Sequence, residues 1–181
     1  MSVTIVYESM FGNTREIAEA IAEGLGEGNG EGHGSEVDAS IVPVLNAPVS
    51  TADTDLLIVG APTHTHSLSR PATRVEAGHW ADDADKALRL EPNAEGIGVR
   101  EWLESCVSVP SRFAAFDTRA DIARVLSGSA AGKIQKRLAK LGSEAICPPQ
   151  SYRVDGRSHL EPGELDRARQ WGRELRLLLE R

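Results

Sequence analysis

The chain has 181 residues, of which 40% are hydrophobic and 26% charged, with a net charge of −7. That balance predicts one globular domain with a sizeable core, and no run is long or apolar enough to serve as a membrane span. Residues 1–60 carry ten acids against Arg15 alone, whereas residues 106–156 carry eight bases and four acids. An overall acidic molecule of this kind excludes nucleic acid as an expected partner. Cys106 and Cys147 are far apart and form no CxxC pair. With no basic, apolar leader in view, the expected location is the cytoplasm.

Val3–Tyr7 is a short β-branched run that predicts a buried strand. Ile17, Ala18, Ile21, Ala22 and Leu25 then recur at helical spacing, with Arg15, Glu16, Glu19 and Glu23 on the other faces. Between them lies Ser9-Met10-Phe11-Gly12-Asn13-Thr14. A turn of this kind leaves the first helical N–H groups unpaired, where the helix dipole is positive. Ser9, Asn13 and Thr14 add side-chain donors, and Gly12 permits a backbone shape that a Cβ would obstruct. One reading is a basin for an anion, most naturally a phosphate. The other is plain capping by Asn13 and Thr14, with Glu16 completing a capping box.

The glycine-rich run over 24–35 predicts a flexible loop. A strand follows at Val37–Val42, then polar chain with at most a short helix near Ser50–Thr54. Asp55–Ala61 is continuously apolar after its first residue, the mark of a parallel strand buried on both faces. Its carboxyl end opens into Pro62-Thr63-His64-Thr65-His66, the position where ligands sit in open α/β sheets. Residues 72–95 form an elaboration after this third strand, with a short helix over Ala72–Trp80. A helix is expected at Ile97–Ser105, a fourth strand at Arg112–Phe116, and a loop at Asp117-Thr118-Arg119. Ser127 or Ser129 caps a helix bearing Ile134, Leu138 and Leu141, stopped by Gly142. Glu144–Cys147, resuming at Tyr152–Val154 beyond Pro148-Pro149, gives a fifth strand. Pro162 opens a last helix with Leu165, Ala168, Trp171, Leu175 and Leu178 facing inward.

Alternating strands and helices predict a doubly wound parallel sheet with helices on both faces. The chain resembles the flavodoxin family over nearly its whole length. The resemblance is most specific at Tyr7-Glu8-Ser9-Met10-Phe11-Gly12-Asn13-Thr14, and Val59-Gly60-Ala61-Pro62-Thr63-His64 is similar to that family's second flavin loop. It implies a flavodoxin-like sheet ordered 2-1-3-4-5 and FMN as cofactor. Ser9, Met10, Phe11, Gly12, Asn13 and Thr14 would then hold the phosphate. Pro62, Thr63, His64, Thr65 and His66 would border the isoalloxazine, with Asp117, Thr118 and Arg119 near its polar edge. It further implies electron transfer between redox partner proteins, a reductase and an acceptor.

The chain departs from the family where a Trp or Tyr commonly stacks on the ring. His64, His66, Phe11 and Trp80 are the candidates for that place. Arg119 near the ring would favour a reduced, anionic flavin and raise its potential. Two rival functions follow from the same residues: an FMN-dependent NAD(P)H:quinone-type oxidoreductase, with residues 72–95 walling its pocket, and a flavin-free fold acting in binding or regulation. His64 and His66, with His79, Asp82 or Asp83, are read as polar loop residues rather than metal ligands. Gly128–Ile134 is one residue short of a nucleotide-binding loop and is read as a helix start.

Overall fold

The computed structural model describes residues 1–27, 36–82, 87–121 and 128–181. Most of the expected glycine-rich loop, and with it Ser127 and Asp83, lies outside these. The strands are β1 (Ser2–Tyr7), β2 (Asp38–Pro43), β3 (Leu56–Pro62), β4 (Arg112–Ala120), β5 (Glu144–Ala145) and β6 (Gln150–Val154). The helices are α1 (Asn13–Gly26), α2 (Pro71–Ala81), α3 (Val99–Ser105), α4 (Ala130–Lys140) and α5 (Glu164–Leu179). All strand pairs are parallel, in the order β2-β1-β3-β4-β5. The segment β6 pairs with the far half of β4, Phe116 opposite Gln150 and Ala120 opposite Val154. It continues the edge begun by β5, which pairs with Arg112 and Phe113. Pro148 and Pro149, which lack a free N–H to offer a ladder, separate the two pieces of this fifth strand position.

Side chains alternate across the sheet into two cores. Ile5, Ile58, Ala114 and Phe116 pack with Ile17 and Ile21 of α1 and Trp171 and Leu175 of α5. Leu57, Val59, Phe113 and Ala115 face the other way, against Trp102 of α3 and Ile134 and Leu138 of α4. Phe113, Phe116 and Trp102 are among the largest fully buried side chains, and such burial is worth roughly 1.5–3 kcal/mol each.

Several boundaries differ from expectation for physical reasons. Helix α1 continues through Gly24, because α1 and α5 approach too closely there for a side chain. A Cβ on Gly24 would lie 2.0 Å from the Arg169 carbonyl oxygen, and one on Gly172 would lie 2.3 Å from that of Ile21. Arg176 of α5 then donates to the Leu25 carbonyl, closing the C-terminal end of α1. No helix forms at Ser50–Thr54; the one helical turn between β2 and β3 is at Val44–Asn46, a short 3-10 piece. Ile97 and Leu141 are exposed outside their helices, and Leu179 rather than Leu178 enters the core.

Candidate functional site

The first loop leaves β1 with the Glu8 N–H donating to the Gly60 carbonyl at 3.0 Å. The Gly12 N–H turns back to Ser9 Oγ at 3.1 Å, and Gly12 itself has φ 95°, the left-handed geometry that favours glycine. Helix α1 therefore starts without any side-chain cap. Asn13 and Thr14 do not serve that purpose. The Asn13 amide donates to the Ser158 carbonyl at 2.6 Å, and the Thr14 hydroxyl shares a 2.8 Å hydrogen bond with that of Thr118. Among the described residues the backbone N–H groups of Asn13, Thr14 and Arg15 have no protein acceptor. They stand at the positive end of the helix dipole.

The segment after α2 braces this loop from outside. The Glu91 N–H donates to the Met10 carbonyl at 2.8 Å, and Met10 and Phe11 pack with Ala77, Leu90 and Ala94. Arg15 bonds Glu19 at 2.8 Å and Glu91 at 3.1 Å. These two hydrogen bonds hold the Arg15 guanidinium above its ordinary range. Beside the loop, the Glu8 carboxyl is 3% exposed and accepts from the Val99 N–H at 2.8 Å. Burial pushes it upward against the opposing pull of Ser69, Val99 and Arg74.

The second loop is a tight turn. The N–H and carbonyl groups of His64 and Ser67 bond each other at 2.8 and 2.9 Å, with Thr65 at φ 44° and His66 at φ 68° between them. Such a conformation in β-branched Thr65 costs about 1–3 kcal/mol and must be held by its surroundings. Thr63 supplies part of the hold: its N–H donates to the Thr118 carbonyl and its hydroxyl accepts from the Ala130 N–H. Burial pushes the His64 imidazole below its ordinary pKa, which favours the neutral ring.

The expected third loop at Asp117-Thr118-Arg119 is strand instead. β6 supplies a partner along this stretch, so β4 stays extended to Ala120. Asp117 is fully buried and accepts from Ser129 Oγ at 2.7 Å and from the Ala131 N–H at 2.9 Å. Its carboxylate thus caps α4 together with Ser129, which accepts from the Gly132 N–H.

The three segments enclose a cavity of about 360 Å³. Ser9, Met10, Phe11, Asn13 and Thr14 line it from the first loop, Pro62 to Thr65 from the second, and Thr118 and Arg119 from β4. Gly12, His66 and Asp117 are not in its wall. Thr73, Glu76, Ala77 and Trp80 of α2 also line it, and the turn after β6 adds Asp155, Gly156 and Ser158. The sequence pattern marks Trp80 as a candidate, whereas the β6 turn carries only an ordinary Asp-Gly signal. Among the described residues no three His, Cys, Asp or Glu side chains are placed to hold a metal ion.

No family model and no curated protein matches the chain. Solved structures do. A flavodoxin from the domain Archaea aligns over 100% of both chains at 16% identity with a TM-score of 0.62. Oxidised Flavodoxin 1 from Bacillus cereus aligns over 96% of both at 18% identity and 0.63. The fold is flavodoxin-like. The same fold forms part of a larger protein, rubredoxin oxygen:oxidoreductase from Desulfovibrio gigas, where 98% of this chain covers 36% of that one at 14% identity and a TM-score of 0.59.

A flavodoxin-like sheet places the cavity at its topological switch point, between β1 and β3 at their carboxyl ends. The residues there fit a phosphorylated flavin. Three acceptor-less amides and the Ser9 and Thr14 hydroxyls suit a phosphate, while Met10, Ala77 and Trp80 suit an apolar ring. Among the described residues no helix is long and apolar enough to cross a membrane.

Proposed function

We propose that the protein binds FMN non-covalently and passes electrons between a reductase and an acceptor protein. The observation that carries this reading is the run of unaccepted N–H groups at Asn13, Thr14 and Arg15, next to a cavity of about 360 Å³ that Asn13 and Thr14 line together with Met10, Ala77 and Trp80. Bound FMN would supply one- and two-electron chemistry. The chain's own residues do the rest. Asn13, Thr14 and the turn at Gly12 orient the phosphate. Pro62 to Thr65 and Trp80 shield the ring from water, and Trp80, 44% exposed, lies at the rim that a partner would approach. Arg119 places a cation in the cavity lining.

A visible absorption spectrum of the purified protein, before and after FMN is added, tests the reading. Asn13→Asp puts a negative charge at the helix start and breaks the bond to Ser158, so it should weaken binding at least roughly tenfold. Thr14→Val should weaken it less. Equal affinity in all three proteins removes the basin from the mechanism.

The α2 wall favours a second reading, an NAD(P)H-dependent FMN oxidoreductase acting on quinone-like compounds. Thr73, Glu76 and Trp80 give the cavity a side suited to a small substrate. Steady turnover of NAD(P)H by the FMN-loaded protein alone would select that reading over a carrier.

A further inference from the structure

The basic residues of α5 and α4 have different surroundings. Arg167, Arg169, Arg173 and Arg176 of α5 each meet a carboxylate, at Glu164, Glu23, Glu27 and Glu180. Helix α4 carries Lys133, Lys136, Arg137 and Lys140 and no acid. Arg137 is engaged by Glu104 at 2.8 Å. Lys133, Lys136 and Lys140 are exposed and have no ion-pair partner among the described residues. Spaced i, i+3 and i+7, they share one helix face about 10 Å long. In a chain of net charge −7 this face is a local exception. Exposed Glu36 and Asp38 mark the β2 edge of the sheet, whereas α4 leads from β4 to β5 at the other.

The lysine face adjoins the first cavity. The N–H of Ala130, the first residue of α4, donates to Thr63 Oγ1, and Thr63 lines that cavity. Gly128, just before the helix, pairs with His66 of the second loop. Lys133 follows Ala130 by about one helical turn. Thr65 and His66, at the tip of the loop, are exposed. We infer that the Lys133–Lys136–Lys140 face of α4 docks the carboxylate-rich face of a partner protein. That this partner donates or accepts electrons rests on the flavin reading, whereas the charge match does not. Ammonium groups of this kind speed encounter with an acidic surface, and each contact adds little once formed. A nucleic acid matches less well, because a long polyanion would run off so short a face onto an acidic molecule. A protein can confine its carboxylates to the patch.

The probe is cytochrome c with its lysines succinylated, an acidic protein carrying a visible redox centre. Calorimetric titration of the full chain with this probe should show binding that weakens as salt is raised. The double variant Lys133→Gln, Lys136→Gln should lose roughly three- to tenfold in affinity for the probe and none for FMN. Ile41→Glu with Leu177→Glu changes the net charge equally at exposed positions on β2 and α5, and should have a smaller effect. With FMN bound and dithionite as reductant, the reduced flavin gives one electron to each ferric haem, which becomes ferrous. The lysine variant should slow that transfer by a similar factor. Equal weakening by both pairs of substitutions, or no binding of the probe, overturns the inference. So does a short DNA duplex held more tightly than the probe through the same lysines. Binding through the lysines without any uptake of FMN supports the docking face and removes the electron-carrier reading.

Discussion

Thr14 Oγ1 and Thr118 Oγ1 lie 2.8 Å apart in a buried hydrogen bond that fastens the first turn of α1 to the end of β4. Both side chains also line the first cavity, so one contact ties α1 to β4 within its wall. Thr118→Val keeps the shape and strands the Thr14 hydroxyl. The expected cost is about 1–3 kcal/mol of folding stability, read from urea unfolding, with a parallel loss of FMN affinity. Unchanged stability would show that water or another group replaces Thr118 without penalty.

Gly24 and Gly172 set the spacing between α1 and α5. Gly24→Ala should destabilise the fold by about 1–3 kcal/mol through overpacking, because the nearest atom is backbone that cannot turn aside. Thermal unfolding of Gly24→Ala beside Gly26→Ala makes the comparison, since a Cβ at Gly26 meets nothing within 4 Å. Equal melting temperatures would contradict the close approach.

Glu8 gives stability a pH dependence of definite sign. Its folded carboxyl titrates above the unfolded value, so the native state holds this proton more tightly. The stability it contributes is complete below the unfolded pKa and is lost as pH rises through the folded one. Denaturation midpoints measured from pH 4 upward should fall in wild type relative to Glu8→Gln, which does not titrate, as the Glu8 carboxyl ionises. Parallel curves would mean that Glu8 does not titrate in this window.

On the proposed reading, Arg119 would bear on the electronics of a bound flavin. Arg119→Ala removes a cation from the cavity lining and should lower the reduction potential of bound FMN, as measured by potentiometry. An unmoved potential would place the guanidinium outside electrostatic reach of the ring.

Much of this architecture is legible in the residues themselves. The apolar runs of β1 and β3 and the spacing in α1 and α5 announce the elements because burial alone requires them. The Pro148-Pro149 break locates the gap in the fifth strand. What pattern misses is long-range pairing. Asp117-Thr118-Arg119 reads as loop because it is polar, yet β6 holds it in the sheet and α4 gives Asp117 its donors. Gly24 reads as a loop start because its partner surface, Arg169, is far away in sequence. Of the cavity, the contiguous stretch at Ser9–Thr14 is visible. Ser158 is not, since its contact with Asn13 spans 145 positions. The capping expected of Asn13 and Thr14 does not occur, since their side chains point at Ser158 and Thr118 and α1 starts without a side-chain cap.

The bracing of Met10 by the Glu91 backbone N–H, with Arg15 tied to the carboxylate of that residue, has a kinetic meaning. A receptor whose rim is already rigid incurs no ordering penalty when its guest arrives. Capture should accordingly proceed in a single phase, at a rate set by encounter, and removal of the Glu91 strut should show itself first as a slower approach to saturation.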